Sequence, residues 1–267
     1  MTLPGNLPPG NVPVPIEFAY AQARAQARQG DRLTPADWRL LESSRGFSQY
    51  LHAARGTGLA PRVRHFSALT SPHAVERSLR RDWRNEVESA AHWVPRVWRS
   101  AVAATAAWPD LPGLLYLAHD GRLLPWMRED PVLAEYALAD RDARERALHD
   151  FTAGELNVTG TDGEPLRSWL LRWQSLWPAA ATFRPALLEL TDLVQRYVDS
   201  MQHVRAQAAT LLQLHEDFER RIARHMRTRL QQPVTVFCHL LLTALELRRL
   251  QSGLVRRALF NDVVAER

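Results

Sequence analysis

Lysine is missing from this 267-residue sequence and isoleucine occurs only at Ile16 and Ile222, so all 34 basic residues are arginine. GC-rich coding explains that bias more simply than function does, and arginine content is therefore not read as a nucleic-acid signal. Cysteine occurs once, which excludes an internal disulfide. Its setting, Val236-Phe237-Cys238-His239-Leu240, suits a buried, inert thiol in a reducing compartment. No apolar run reaches the roughly 20 residues of a membrane-spanning helix. The longest uncharged stretch, Leu230 to Leu245, opens with Gln231-Gln232-Pro233. The N-terminus carries Pro and Gly where a secretory signal has a basic region and an apolar core, so export is not expected. Period-two alternation of useful length is lacking as well, which argues against β-sheet.

Enzyme signatures are equally scarce. Gly56-Thr57-Gly58 lacks the third glycine, the lysine and the preceding strand of a phosphate-binding loop, and reads as a turn. His215-Glu216 begins like the zinc motif His-Glu-x-x-His, but Glu219 stands where the second histidine is required. Cys238 and His239 are adjacent, so they project from a helix in different directions and are poorly placed to share a metal ion. No Gly-x-Ser-x-Gly elbow is present. The pairs Glu86 with Glu88 and Asp140 with Asp142 are two apart, where helical side chains diverge. Asn157-Val158-Thr159 matches a glycosylation acceptor, which has no role without export. No catalytic, cofactor-binding or metal-ligating residue is nominated, and no small-molecule substrate is expected.

What is present is a helical protein. Apolar residues make up 46% and charged residues 24%, ordinary values for a folded chain. Residues 1–15 hold five prolines and two glycines and are expected to form a disordered, Pro-rich arm. Helices are expected from Ile16 to Gln29 with Gly30 at the end, from Pro35 behind a Thr34 cap, from Phe47 to Ala54, and from Ser71-Pro72 to Val94. Pro109, Pro112, Pro125 and Pro131 then divide the middle into short helices, and Thr152 to Glu164 reads as the one extended loop. From Arg184 to Gln232 two heptad series recur, Leu187-Val194-Met201-Ala208-His215-Ile222 and Leu190-Tyr197-Val204-Leu211-Phe218-His225. As one straight helix this segment would span roughly 70 Å, with Asp199-Ser200 the candidate for a break. Its expected partner is the last helix, Val234 to Asn261, folded back at Gln231-Gln232-Pro233 to bury Phe237, Leu241, Ala244 and Leu245. The expected fold is therefore all-α, an irregular multi-helix bundle ending in a long antiparallel helical hairpin. Residues 16–151 form an N-terminal bundle and 165–267 a C-terminal region, either separate or as one continuous domain.

Two residue groups stand out. Among nine tryptophans, Trp83, Trp93, Trp98 and Trp173 are nominated as structural core, and Trp169, Trp173 and Trp177 form one helical stripe. Residues 1–150 balance 19 Arg against 17 acids, whereas Arg220 to Arg257 holds nine Arg against Glu246 alone. Arg220, Arg221, Arg224, Arg227, Arg248, Arg249, Arg256 and Arg257 are the candidate partner interface.

Tyr20-Ala21-Gln22-Ala23-Arg24 through Arg28, followed by Leu33-Thr34-Pro35-Ala36-Asp37 through Leu41, resembles the opening of the C-subunit family (the d-subunit in eukaryotes) of V-type and A-type rotary ATPases. That family opens with a Tyr-x-x-Ala-Arg helix and a Leu-Ser/Thr-x-x-Asp/Glu segment. Phe47 to Pro61 resembles its next helix and Thr-x-Tyr-type turn, with Gly58 in place of the aromatic. Glu246-Leu247-Arg248-Arg249-Leu250 is similar to its late Glu-x-x-Asn-x-Arg-type helix, without the Asn. The resemblance implies a funnel-shaped, non-catalytic helical adaptor that receives the central stalk on the cytoplasmic end of the membrane c-ring. It implies a cytoplasmic location with peripheral contact at the inner membrane, no cofactor, and other ATPase subunits as partners. The alternatives are a stand-alone helical interaction or regulatory protein and, less favoured, an Arg-rich helical nucleic-acid-binding protein.

Overall fold

The computed structural model describes residues 16–118, 124–137, 140, 142–143, 164–179, 181–203 and 208–259. The Pro-rich arm and residues 152–163 of the extended loop lie outside the described residues. Twelve α-helices and no strand occur among those described. They are α1 (Ala19–Gly30), α2 (Pro35–Glu42), α3 (Phe47–Arg55), α4 (Ala60–Val63), α5 (Pro72–Trp93), α6 (Arg99–Ala103), α7 (Leu111–Ala118), α8 (Leu133–Ala137), α9 (Glu164–Ser175), α10 (Arg184–His203), α11 (Ala208–Thr228) and α12 (Val234–Leu259). The all-α expectation holds, and no helix among the described residues is long and apolar enough to cross a membrane.

Local chemistry sets the helix starts. Thr34 and Asp37 form a reciprocal capping box: the Asp37 N–H donates to Thr34 Oγ1 at 3.2 Å and the Thr34 N–H donates to Asp37 Oδ2 at 2.9 Å. Ser71 Oγ accepts the Ala74 N–H at 3.2 Å and opens α5, with Pro72 in the first turn where no donor is missed. Gly30 is the last residue of α1 and nothing lies within 4 Å of a Cβ placed on it. Gly58 has a different reason to be glycine: a Cβ there would sit 2.5 Å from the Asp31 carbonyl oxygen, so the turn after α3 closes directly onto the end of α1.

Helix α12 is the axis of the molecule. Every residue from Val234 to Thr243 is buried, so the helix is enclosed on all sides over its first half. It packs against α5 and α11 and also touches α1, α3 and α10. One continuous core runs from Phe18 to Leu254, joining N-terminal and C-terminal helices. A satellite cluster of Leu114, Leu117, Met127 and Leu133 lies outside it. Asp130 heads the satellite's helix α8, its Oδ1 accepting the N–H groups of Val132 and Leu133 at 3.0 and 3.1 Å. Asp110 and Asp130 both face Arg80 and Arg84 of α5, so buried ion pairs clamp the satellite to the main body. Burial pushes the Asp110 carboxyl up despite the charges of Arg84 and Arg80.

The heptad segment is not one long rod. Helices α10 and α11 fold back on each other: Tyr197 stacks on Phe218 with ring centroids 4.0 Å apart, and His225 Nε2 donates to the Ala186 carbonyl at 3.0 Å. Rising numbers on α10 meet falling numbers on α11, which makes the pair antiparallel. The first half of each heptad series is thus the partner of the second half. Helices α11 and α12 form the expected closing hairpin; Phe237, Leu241 and Leu245 are buried as expected, whereas Ala244 is half-buried. Gln231, in the turn between them, has φ of 55°, and its N–H is held by Gln22 Oε1 of α1.

Helices α12 and α3 touch at Gly253, where a Cβ would lie 2.3 Å from Tyr50 Oη and 2.7 Å from its Cζ. Tyr50 is fully buried and cannot swing aside. Alanine is intrinsically better than glycine in a helix by about 1 kcal/mol, yet overpacking should win. Gly253→Ala is expected to destabilise by about 1–3 kcal/mol in chemical denaturation, with Tyr50→Phe recovering part of the loss.

Candidate functional site

The segments that carry the family resemblance meet in space. The Leu33 N–H donates to Glu246 Oε1 at 3.4 Å, and Arg32 donates to the Leu242 carbonyl at 3.2 Å. Arg32 also pairs with Glu219 of α11 at 3.1 Å, so the end of α1 is tied to both arms of the closing hairpin. Burial pushes the Glu246 carboxyl up, while Arg32 and the Leu33 N–H pull against it. Eleven residues further along, Arg257 donates to the carbonyls of Glu42, Ser44 and Gly253 at 2.8, 2.8 and 2.9 Å. Its guanidinium lies 4.2 Å above the Tyr50 ring. Arg249 donates to Glu42 Oε1 at 2.7 Å and stacks 4.6 Å over Trp38.

The eight nominated arginines therefore separate into two groups. Arg257 is buried because the Glu42 carbonyl at the negative end of α2 and the Ser44 carbonyl after it need donors, whereas Arg249 is half-buried on the Glu42 carboxylate and the Trp38 ring. Arg220, Arg221, Arg224 and Arg227 are exposed along α11. Spacings of four and three put Arg220, Arg224 and Arg227 on one stripe, and Arg220 pairs with Asp217. Arg248 and Arg256 are exposed on α12. The basic region is a ridge on α11 with two outlying charges, not a single patch of eight.

The interior holds a second ionic group. Glu86 of α5 and His239 of α12 are 5% and 2% exposed, with His239 Nε2 3.1 Å from Glu86 Oε1. Arg62 reaches Glu86 at 3.1 Å and Arg28 at 3.8 Å. Burial works against the Glu86 charge, but the His239 hydrogen bond and the charges of His239, Arg28 and Arg62 outweigh it and hold the carboxyl at about 2. A carboxylate oriented on a histidine is acid–base equipment in principle. Here both partners are buried where α5 meets α12, with Arg62 and Arg28 covering the other carboxylate oxygen.

The sign of that shift gives a prediction. A carboxyl lowered from 4.5 to about 2 on folding stabilises fully above 4.5, and the contribution is lost as pH falls through 2. Glu86→Gln is expected to destabilise by about 2–3 kcal/mol near neutral pH. Its denaturation midpoint should approach that of the parent between pH 4.5 and 2.

Other singled-out residues have structural surroundings. Trp83, Trp93, Trp98 and Trp173 are all buried. Trp83 Nε1 donates to the Thr105 carbonyl at 3.1 Å and Trp173 Nε1 to the Ala101 carbonyl at 2.9 Å. His215 Nδ1 lies 3.0 Å from the Tyr197 hydroxyl, its Nε2 is 3.9 Å from Glu219, and burial lowers its pKa. Cys238 is fully buried, which pushes its thiol up. No group of three or more His, Cys, Asp or Glu among the described residues is arranged to hold a metal ion. Arg32, Glu42 and Trp38 carry no signal of this site in the sequence, and Glu219 enters there only as the residue that breaks a zinc motif. Nothing in spacing links Arg32 to a carboxylate 187 positions away.

No family model, curated protein or solved structure matches the chain.

Proposed function

We propose that the chain is a non-catalytic helical adaptor of a rotary V/A-type ATPase, coupling the membrane c-ring to the central stalk. One observation carries the reading: the two stretches that resemble the stalk-adaptor family, lying at opposite ends of the sequence, meet where the Leu33 N–H donates to Glu246, and Glu42, directly after the first stretch, pairs with Arg249. A torque-bearing coupling also needs a stiff, closely packed body and broad contacts, and it needs no bond-making groups. Helix α12, enclosed by five other helices, supplies that stiffness. The arginine ridge on α11 suits acidic partner loops or anionic head groups.

Isolation of the tagged full-length chain from gently solubilised membranes tests the proposal. The expected co-isolates are a proteolipid ring and the ATP-hydrolysing subunits. Arg220→Glu/Arg224→Glu/Arg227→Glu should weaken that association with the melting curve unchanged. Recovery of the chain alone from membranes that contain such a ring would overturn the proposal. Binding to mixed-sequence oligonucleotides that falls by orders of magnitude between about 50 and 200 mM salt would favour the nucleic-acid reading instead.

A further inference from the structure

Helices α5 and α12 run antiparallel, in contact where Glu86 meets His239, and a cleft of about 600 Å³ lies between the start of α5 and the end of α12. Sites for small organic ligands have volumes of about 300–1,000 Å³ and mainly apolar walls with a few polar groups. This cleft matches that description. Its apolar walls include Leu79 and Trp83 of α5, Trp108 and Pro109 beyond α6, and Leu247 and Val255 of α12.

The charges that line it select the ligand. Glu76, the carboxylate in the lining, is bound to Arg80 at 2.8 Å, and Arg80 is also shared with Asp130 at 3.5 Å. A cationic ligand would find no free acid there. Arg248 is exposed at the rim, and no carboxylate among the described residues lies within ion-pair distance of it. Gln251 and Ser252, one turn further along α12, add polar groups beside it. We propose that this cleft binds one organic carboxylate with an apolar body, the head group on Arg248 and the body against Trp108 and Val255. The site uses neither the ridge on α11 nor the contacts of Glu246, although Leu247 and Arg248 belong to the stretch that resembles the adaptor family.

Isothermal titration of the full-length chain with decanoate, below its micelle concentration, tests the proposal. Saturable one-to-one binding is expected. Arg248→Gln should weaken it about tenfold, the order of one charge-assisted hydrogen bond. Val255→Trp should abolish it by filling the cleft, and decanol should bind about tenfold more weakly than decanoate for the same reason as Arg248→Gln. Thermal melts of both variants establish that they fold. Non-saturable uptake, equal affinity in folded Arg248→Gln, or decanol binding as tightly as decanoate would each overturn the assignment.

Discussion

Trp173→Ala should remove about 3–5 kcal/mol of stability, among the largest losses open to a single substitution in this chain. Trp173 is 3% exposed and packs its ring against Phe237 at 4.8 Å, Trp177 at 4.9 Å and Trp169 at 5.9 Å. Phe237 belongs to α12 and the tryptophans to α9 and the turn after it, so the ring joins the axis to the segment that follows the extended loop. Truncation leaves a large cavity and strands the Ala101 carbonyl, which now accepts the indole N–H. An unpaired buried acceptor adds a penalty of about 1–3 kcal/mol. Urea denaturation followed by far-UV circular dichroism reads the sum. A loss below about 1 kcal/mol would mean that the indole is not the packed joint described here.

Arg257→Ala should cost about 3 kcal/mol or more, for electrostatic as well as packing reasons. The carbonyl oxygens of Glu42 in α2 and Ser44 in the turn after it lose their donor together, while that of Gly253 keeps its backbone partner within α12. Tyr50 also loses the guanidinium that covers its ring. Arg257→Lys should recover less than half of the loss, because an ammonium cannot meet three acceptors with the planar fork of a guanidinium. The neighbouring Arg256 is exposed, and Arg256→Ala should change stability by no more than about 0.5 kcal/mol. Equal effects at the two positions in the same denaturation series would contradict the inward placement of Arg257.

The contrast between those neighbours shows where sequence reading succeeds. Caps at Thr34 and Ser71 are local: the capping side chain and the proline of both, and the acid Asp37 of the first, lie within four positions. The apolar stretch Val234 to Leu242 likewise announces an enclosed helix, because few polar side chains interrupt it. The heptad series of 184–232 is different: its period states that the helix needs a partner and says nothing about whether that partner is another helix or its own second half. Arg257 belongs to an arginine-rich run, and only the fold reveals that the carbonyl end of α2 lies beside it. Gly253 carries a partial signal, since glycine inside a helix is unfavourable without a close neighbour, but the neighbour, Tyr50, cannot be named from spacing. Glu86 appeared as one of a diverging acid pair, and its true partner, His239, is 153 residues distant. Contacts that define the candidate site are almost all of this long-range kind.

The proposal that the chain transmits torque by contact is tested most directly by ATP-driven ion uptake in inverted membrane vesicles from cells lacking it. Uptake should be lost and should return when the full-length chain is supplied, with the Arg220→Glu/Arg224→Glu/Arg227→Glu variant restoring markedly less. Uptake and ATP hydrolysis that stay fully coupled in the absence of the chain would contradict the account.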